Sequence, residues 1–99
     1  MTVKWDDVTQ ADVVHALQEY DWLGPKAFHF AHGFAPAATY DLVWNDRLYP
    51  PKAILGVAYE FATGQSLTPG DFEGGKTGAV KALGQLGFTI RLRRLASQW

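Results

Sequence analysis

Eight residues from Gly70 to Thr77, Gly-Asp-Phe-Glu-Gly-Gly-Lys-Thr, satisfy the spacing G-x-x-x-x-G-K-[ST] of a triphosphate-binding loop. Such a loop works because glycines let backbone N–H groups converge on phosphate oxygens while the lysine reaches the terminal phosphates. It must follow a buried strand and open a helix, so that the helix dipole adds to the amides. Here the preceding stretch, Ala62 to Pro69, reads as a helix end followed by loop, and no apolar strand ends in an aspartate that would hold magnesium. Triphosphate hydrolysis is therefore rejected. What the residues still offer is a helix start carrying Lys76 and Thr77 behind two glycines, a plausible seat for an anion such as a nucleic-acid phosphate. Lys52, just after Pro50-Pro51, offers a second charge of the same kind. Surface lysines near helix starts with no ligand are the plain alternative for both.

Other chemistry is sparse. His29 and His32 lie three apart on a predicted helix, but two imidazoles without a third ligand make weak metal evidence, and packing or capping explains them better. No metal or cofactor is expected. The chain lacks cysteine, a His-Glu-x-x-His helix, paired carboxylates in an apolar context and a Ser-His-Asp arrangement. A catalytic role for this domain alone is not expected.

Charge is unevenly spread. Residues 1–46 carry seven acids against Lys4 and Lys26, a balance of −5, whereas residues 47–99 carry seven bases against Glu60, Asp71 and Glu73, a balance of +4. The whole sums to −1. One basic surface on a nearly neutral molecule is thus available to steer an anionic partner. With 47% apolar and 19% charged residues in 99, the chain is expected to fold as one small domain. No apolar run reaches the ~18 residues that span a bilayer, and the N-terminus has no apolar signal segment, so a cytoplasmic protein without membrane contact is expected.

The elements that position these residues follow from local signals. Thr9 with Asp12 three residues on predicts a helix start, and Val13, Leu17 and Tyr20 form its apolar stripe, with His15 exposed on the other side. Gly24-Pro25 ends that helix and opens a short second one, closed at Gly33, with Phe34-Ala35-Pro36 as a connection. Thr39 to Trp44 and Arg47 to Tyr49 read as a hairpin around Asn45-Asp46. A third helix runs from Pro51 to Thr63 with Ile54, Leu55, Ala58, Phe61 and Ala62 inward and Lys52, Gly56 and Tyr59 on the opposite side. Glycine inside that helix implies close approach of a neighbour, packing before ligand. Leu67 and Phe72 are expected to pin the following loop. A fourth helix is predicted from about Lys76 to Leu86, with Ala79, Val80, Leu83 and Leu86 inward and Lys81 pointing away. A strand from Phe88 to Arg93 then places Thr89, Arg91 and Arg93 on an open face. The order α-α-β-β-α-α-β predicts an α+β fold with a three-stranded antiparallel sheet and helices mainly on one side. The compact domain is expected over residues 1–94, with 95–99 beginning a linker.

The combination Tyr49-Pro50-Pro51-Lys52-Ala53-Ile54-Leu55-Gly56, Phe72-Glu73-Gly74-Gly75 and Leu86-Gly87-Phe88, together with the opening Val3-Lys4-Trp5 and the hairpin, resembles the N-terminal head domain of McrA-like type IV restriction endonucleases. Those enzymes join the head to a sulfur-binding domain, an SRA domain and an HNH nuclease and cut modified DNA. None of those other domains lies in this chain, so cleavage and their specificity do not carry over. The resemblance implies a non-catalytic module that binds double-stranded DNA, modified DNA in particular, or else a spacer that docks against the other domains of the nuclease. For the first role, Arg47, Lys52, Lys76, Arg91 and Arg93 would neutralise phosphates, with Thr77 beside Lys76. Trp44, Tyr49 and Tyr59 would stack on a base or line a pocket for one, Tyr49 foremost because it sits at the strand-to-helix corner. For each of these aromatics a place in the core competes with stacking.

Overall fold

The computed structural model describes residues 3–35 and 39–92. The elements run α1 (Gln10–Leu23), α2 (Pro25–His32), β1 (Tyr40–Trp44), β2 (Arg47–Tyr49), α3 (Pro51–Thr63), α4 (Ala79–Gln85) and β3 (Thr89–Leu92). Short 3-10 turns precede α1 at Trp5–Asp7 and interrupt the long loop at Pro69–Asp71. The fold is α+β with an antiparallel sheet in the order β2-β1-β3, as the sequence predicted. Arg93, the expected end of β3, the linker from residue 95 and Pro36 lie outside the described residues.

Local chemistry sets most boundaries. Thr9 and Asp12 form a reciprocal capping box at the start of α1, which satisfies two amides that would otherwise lack partners. Gly24 then turns the chain into Pro25, whose missing N–H costs nothing at a first helical position. Asn45 and Asp46 take φ of 50° and 61°, the left-handed pair that a two-residue hairpin requires and that these side chains tolerate. Across the sheet Leu42 stands opposite both Tyr49 and Ile90, so these three share the inner face. Thr89 and Arg91 alternate to the other face and are exposed.

α3 is the axis of the molecule, and here the expectation needs correction. The sequence suggested a one-sided helix, yet Ala53 to Tyr59 are all buried. A helix apolar all round is one surrounded by structure. α1, α2, α4, β1 and the turn at Trp5 all pack on it. Gly56 is small because Phe34 lies on it; a Cβ there would sit 2.6 Å from the Phe34 ring. Phe34, read from sequence as a connection, is thus core. Phe61, read as core, is instead exposed in the last turn, stacked on His15 with ring centroids 3.9 Å apart. Among the described residues no buried side-chain nitrogen or oxygen lacks a partner, so the core is closed and polar-satisfied.

Candidate nucleic-acid interface

The glycine loop that looked like a phosphate cradle is folded onto itself. α4 begins at Ala79 rather than Lys76, leaving Lys76-Thr77-Gly78 in a turn ahead of a seven-residue helix. Three amides at the start of α4 already have acceptors. Gly78 donates to the Gly75 carbonyl at 3.0 Å, Ala79 to Glu73 at 2.8 Å and Val80 to Gly75 at 3.2 Å. The Thr77 hydroxyl donates to the Glu73 carboxylate at 3.0 Å. An acid at that position repels phosphate, so the Thr77 hydroxyl and the Gly78, Ala79 and Val80 amides are not free for the anion seat that the sequence suggested. Gly78 makes the closure possible: a Cβ there would lie 1.9 Å from the Glu73 carbonyl oxygen.

Lys52 is likewise engaged. Its ammonium donates to the Pro69 carbonyl at 2.6 Å and lies 5.2 Å from the centre of the Phe72 ring, a cation–π contact. Its stem runs beneath Gly74. Phe72 packs edge-on to Trp5 and against Phe34, and Leu67 is buried, so both pin the loop as expected. Between the Pro50-Pro51 corner and Gly74-Gly75 lies a cleft of about 310 Å³, mainly apolar, with Lys52 and Tyr40 in its wall.

Two of the three aromatics expected to stack on bases, Tyr49 and Tyr59, prove to be interior. Tyr49 is 1% exposed and Tyr59 4%. Tyr59 meets Trp5 edge to face, and Tyr49 lies between Tyr20 and Trp44. The Tyr49 hydroxyl donates to both oxygens of Asp21 at 2.8 and 2.9 Å, and Arg47 donates to the same carboxylate at 3.1 Å. Burial, the hydrogen bond to Asp21 and its negative charge together push the Tyr49 phenol up to about 12. Burial first, then the charges of Asp21 and Asp41, raises that of Tyr20 as well. Trp44 is half-buried against Tyr49. An aromatic–carboxylate cluster therefore replaces the open stacking platform for Tyr49, because the strand-to-helix corner turns inward over α1, while Tyr59 is held against Trp5. Arg47 keeps its guanidinium largely in solvent at the rim of that cluster.

The histidines have local work. His29 Nδ1 is 2.9 Å from the Phe34 carbonyl, and His32 Nε2 meets Glu19 at 2.5 Å. Among the described residues no group of three His, Asp or Glu is placed to hold a metal ion.

Besides Lys4 and Lys26, the exposed cations with no side-chain partner among the described residues lie toward the other end of the chain. From Gly74 onward the sequence has no aspartate or glutamate. In that stretch Lys76, Lys81 and Arg91 are exposed, and none of their side chains makes a hydrogen bond or ion pair with another described residue. They ride on one continuous unit, the turn before α4, α4 itself and β3, which pack together. Lys76 and Arg91 were anticipated. Lys81 was not; the absence of any acid after Glu73 was the signal that singles it out. Arg93 lies outside the described residues.

These features define a small α+β module whose C-terminal stretch, from Gly74 on, carries cations and no acids in its sequence, although Asp41 faces Arg91 across the sheet. The family model of the ScoMcrA-like N-terminal head domain matches residues 6–92. The chain belongs to that family. Among solved structures it is similar to a protein described as the type IV phosphorothioation-dependent restriction endonuclease ScoMcrA, with 33% identity and a TM-score of 0.67. That match covers 93% of this chain and 14% of the nuclease, so the chain corresponds to a small part of that protein's length. A search of the curated proteins finds no match. No helix among the described residues is long and apolar enough to cross a membrane.

Proposed function

We propose that this domain is a DNA-contacting, non-catalytic head of a type IV restriction endonuclease that acts in the cytoplasm on modified DNA. The observation that carries the reading is the stretch through α4 and β3, whose own sequence has no acid and in which Lys76, Lys81 and Arg91 are exposed with no side-chain partner among the described residues. Membership of the head-domain family supports the setting. Unpaired surface cations on such a unit bind phosphates without reading bases, so the contribution is to position the duplex rather than to select its sequence. Arg47, at the rim of the Asp21 cluster, is a candidate to extend the contact, while Lys52, committed to Pro69 and Phe72, acts by holding the loop. The modification named for the solved relative, phosphorothioation, is the first to test.

Fluorescence anisotropy with three short duplexes, unmodified, cytosine-methylated and phosphorothioated, tests the reading. Binding to all three at low salt is expected, with loss in a Lys76→Ala, Lys81→Ala, Arg91→Ala triple variant that melts like the parent. A preference for one duplex assigns the modification. Failure to retain any duplex at low salt overturns the proposal.

A further inference from the structure

The cleft between the Pro50-Pro51 corner and the glycine loop lies outside the set of cations assigned to phosphates. Its volume of about 310 Å³ is at the small end of ligand pockets, which run from roughly 300 to 1,000 Å³. That is room for one small ring system and not for an extended cofactor. The walls are apolar and rigid. Pro50 and Pro51 are buried in place, and Phe34 and Tyr40 contribute aromatic rings. Phe34 is itself fixed by Gly56 and Phe72 behind it.

The polar groups of the lining decide which ring system suits it. No aspartate or glutamate is among the described residues that line the cleft. Its one charge is the Lys52 ammonium, which spends one of its three donors on the Pro69 carbonyl and makes no ion pair. The Gly74 and Gly75 amides have no acceptor among the described residues. The carbonyls nearby are already engaged: that of Pro50 accepts from Ile54, that of Pro69 from Lys52, and that of Gly75 from Gly78 and Val80. The lining therefore has donors to spare. A peptide strand would bring amides that need acceptors of their own, whereas a flat ring edged with carbonyl oxygens answers the donors. Nucleobases have that make-up, a π-face that stacks on aromatic and apolar walls and an edge that carries acceptors. The setting agrees with the chemistry. Gly75 in the cleft wall is followed directly by Lys76, the first of the exposed cations assigned to phosphate.

We infer that this cleft seats one nucleobase that has left the base stack, with its ring against Pro50, Pro51 and Tyr40 and its carbonyl edge toward Lys52 and the Gly74-Gly75 amides. The inference rests on the DNA-contacting reading and deepens it, adding a base contact to contacts made with phosphates alone. A base inside a paired duplex cannot enter. The occupant is an unpaired, damaged or extruded one, the kind that costs least to take out of the stack.

Thymine is the natural probe, because it carries carbonyl acceptors and no amino group. Three duplexes of one length are compared by fluorescence anisotropy: fully paired, with one bulged thymidine, and with one bulged abasic site of the same charge. Stacking of one base is worth roughly fivefold or more in affinity, so the thymidine bulge should bind at least about fivefold tighter than the abasic bulge. A Cβ at Gly75 would meet nothing within 4 Å, so Gly75→Trp adds a ring at the cleft without a clash at that carbon. This variant should melt like the parent and lose the difference between the two bulges. A second measurement needs no variant. Thymidine monophosphate added to the head should shift the amide NMR signals of Lys52, Gly74 and Gly75, and deoxyribose phosphate should not. Equal binding of the two bulges overturns the inference, as do amide shifts that the sugar phosphate reproduces. Failure of the DNA-contacting reading shows separately, as a fully paired duplex that is not retained at low salt.

Discussion

Tyr49 and Tyr59 on one side, and Trp22 and Phe30 on the other, are four aromatic residues with opposite locations. The tyrosines flank a proline corner and a helix face that looked open, and they are core. Trp22 and Phe30 sit in ordinary helical positions and face solvent. What separates the pairs is not residue type but partners. Tyr59 has Trp5, and Tyr49 has Asp21, Tyr20 and Trp44. Trp22 and Phe30 make no ring contact among the described residues. An aromatic that closes a core carries stability, and one left outside is available for recognition.

Substitutions at the two pairs sharpen or break this contrast. Tyr59→Ala empties a buried site against Trp5 and should cost about 3–5 kcal/mol in urea unfolding, the range for large aromatics cut to alanine. Tyr49→Phe keeps the ring but strips Asp21 of its two hydrogen bonds from the phenol, leaving only Arg47; a loss of about 1–3 kcal/mol is expected. The same phenol gives the contrast a pH signature. Below pH 10 the phenol is protonated in both states and its contribution is intact. Between 10 and about 12 the unfolded chain ionises first, so stability falls as pH rises through that window and the contribution is gone above it. Unfolding free energies measured at pH 8 and pH 11 should differ less for Tyr49→Phe than for the parent. A parent with no loss at pH 11 would contradict the hydrogen bond from the buried Tyr49 to Asp21. At the other extreme, Trp22→Ser and Phe30→Ser should each change stability by no more than about 0.5 kcal/mol. A large loss at either would move that ring into the core and end the comparison.

How much of this was legible beforehand follows the range of the interactions involved. The capping box at Thr9 and Asp12, the Asn45-Asp46 hairpin and the Gly24-Pro25 corner are written within a few residues of themselves, and the element order and sheet followed from them. The surroundings of α3 depend on distant partners. Nothing near Gly56 announces Phe34, and nothing near Tyr59 announces Trp5. The candidate site suffered for the same reason. Lys52 and Thr77 were sensible phosphate ligands by type and position, yet Pro69 and Glu73 had already claimed their donors. The side chains of Lys76 and Arg91 have no partner among the described residues, and the sequence after Glu73 contains no acid. That deficit could be read without a structure, and it also points to Lys81.

The role assigned to the α4–β3 unit is tested most directly by the salt dependence of duplex binding. Each phosphate neutralised contributes about −0.9 to the slope of log K against log salt concentration. Lys76, Lys81 and Arg91 together then predict a slope near −2.7 or steeper, made shallower by about 0.9 for each one replaced by alanine. Lys52→Ala should weaken the loop without the same stepwise change. A slope near zero, or one indifferent to all three substitutions, would contradict the claim that this end of the head holds DNA.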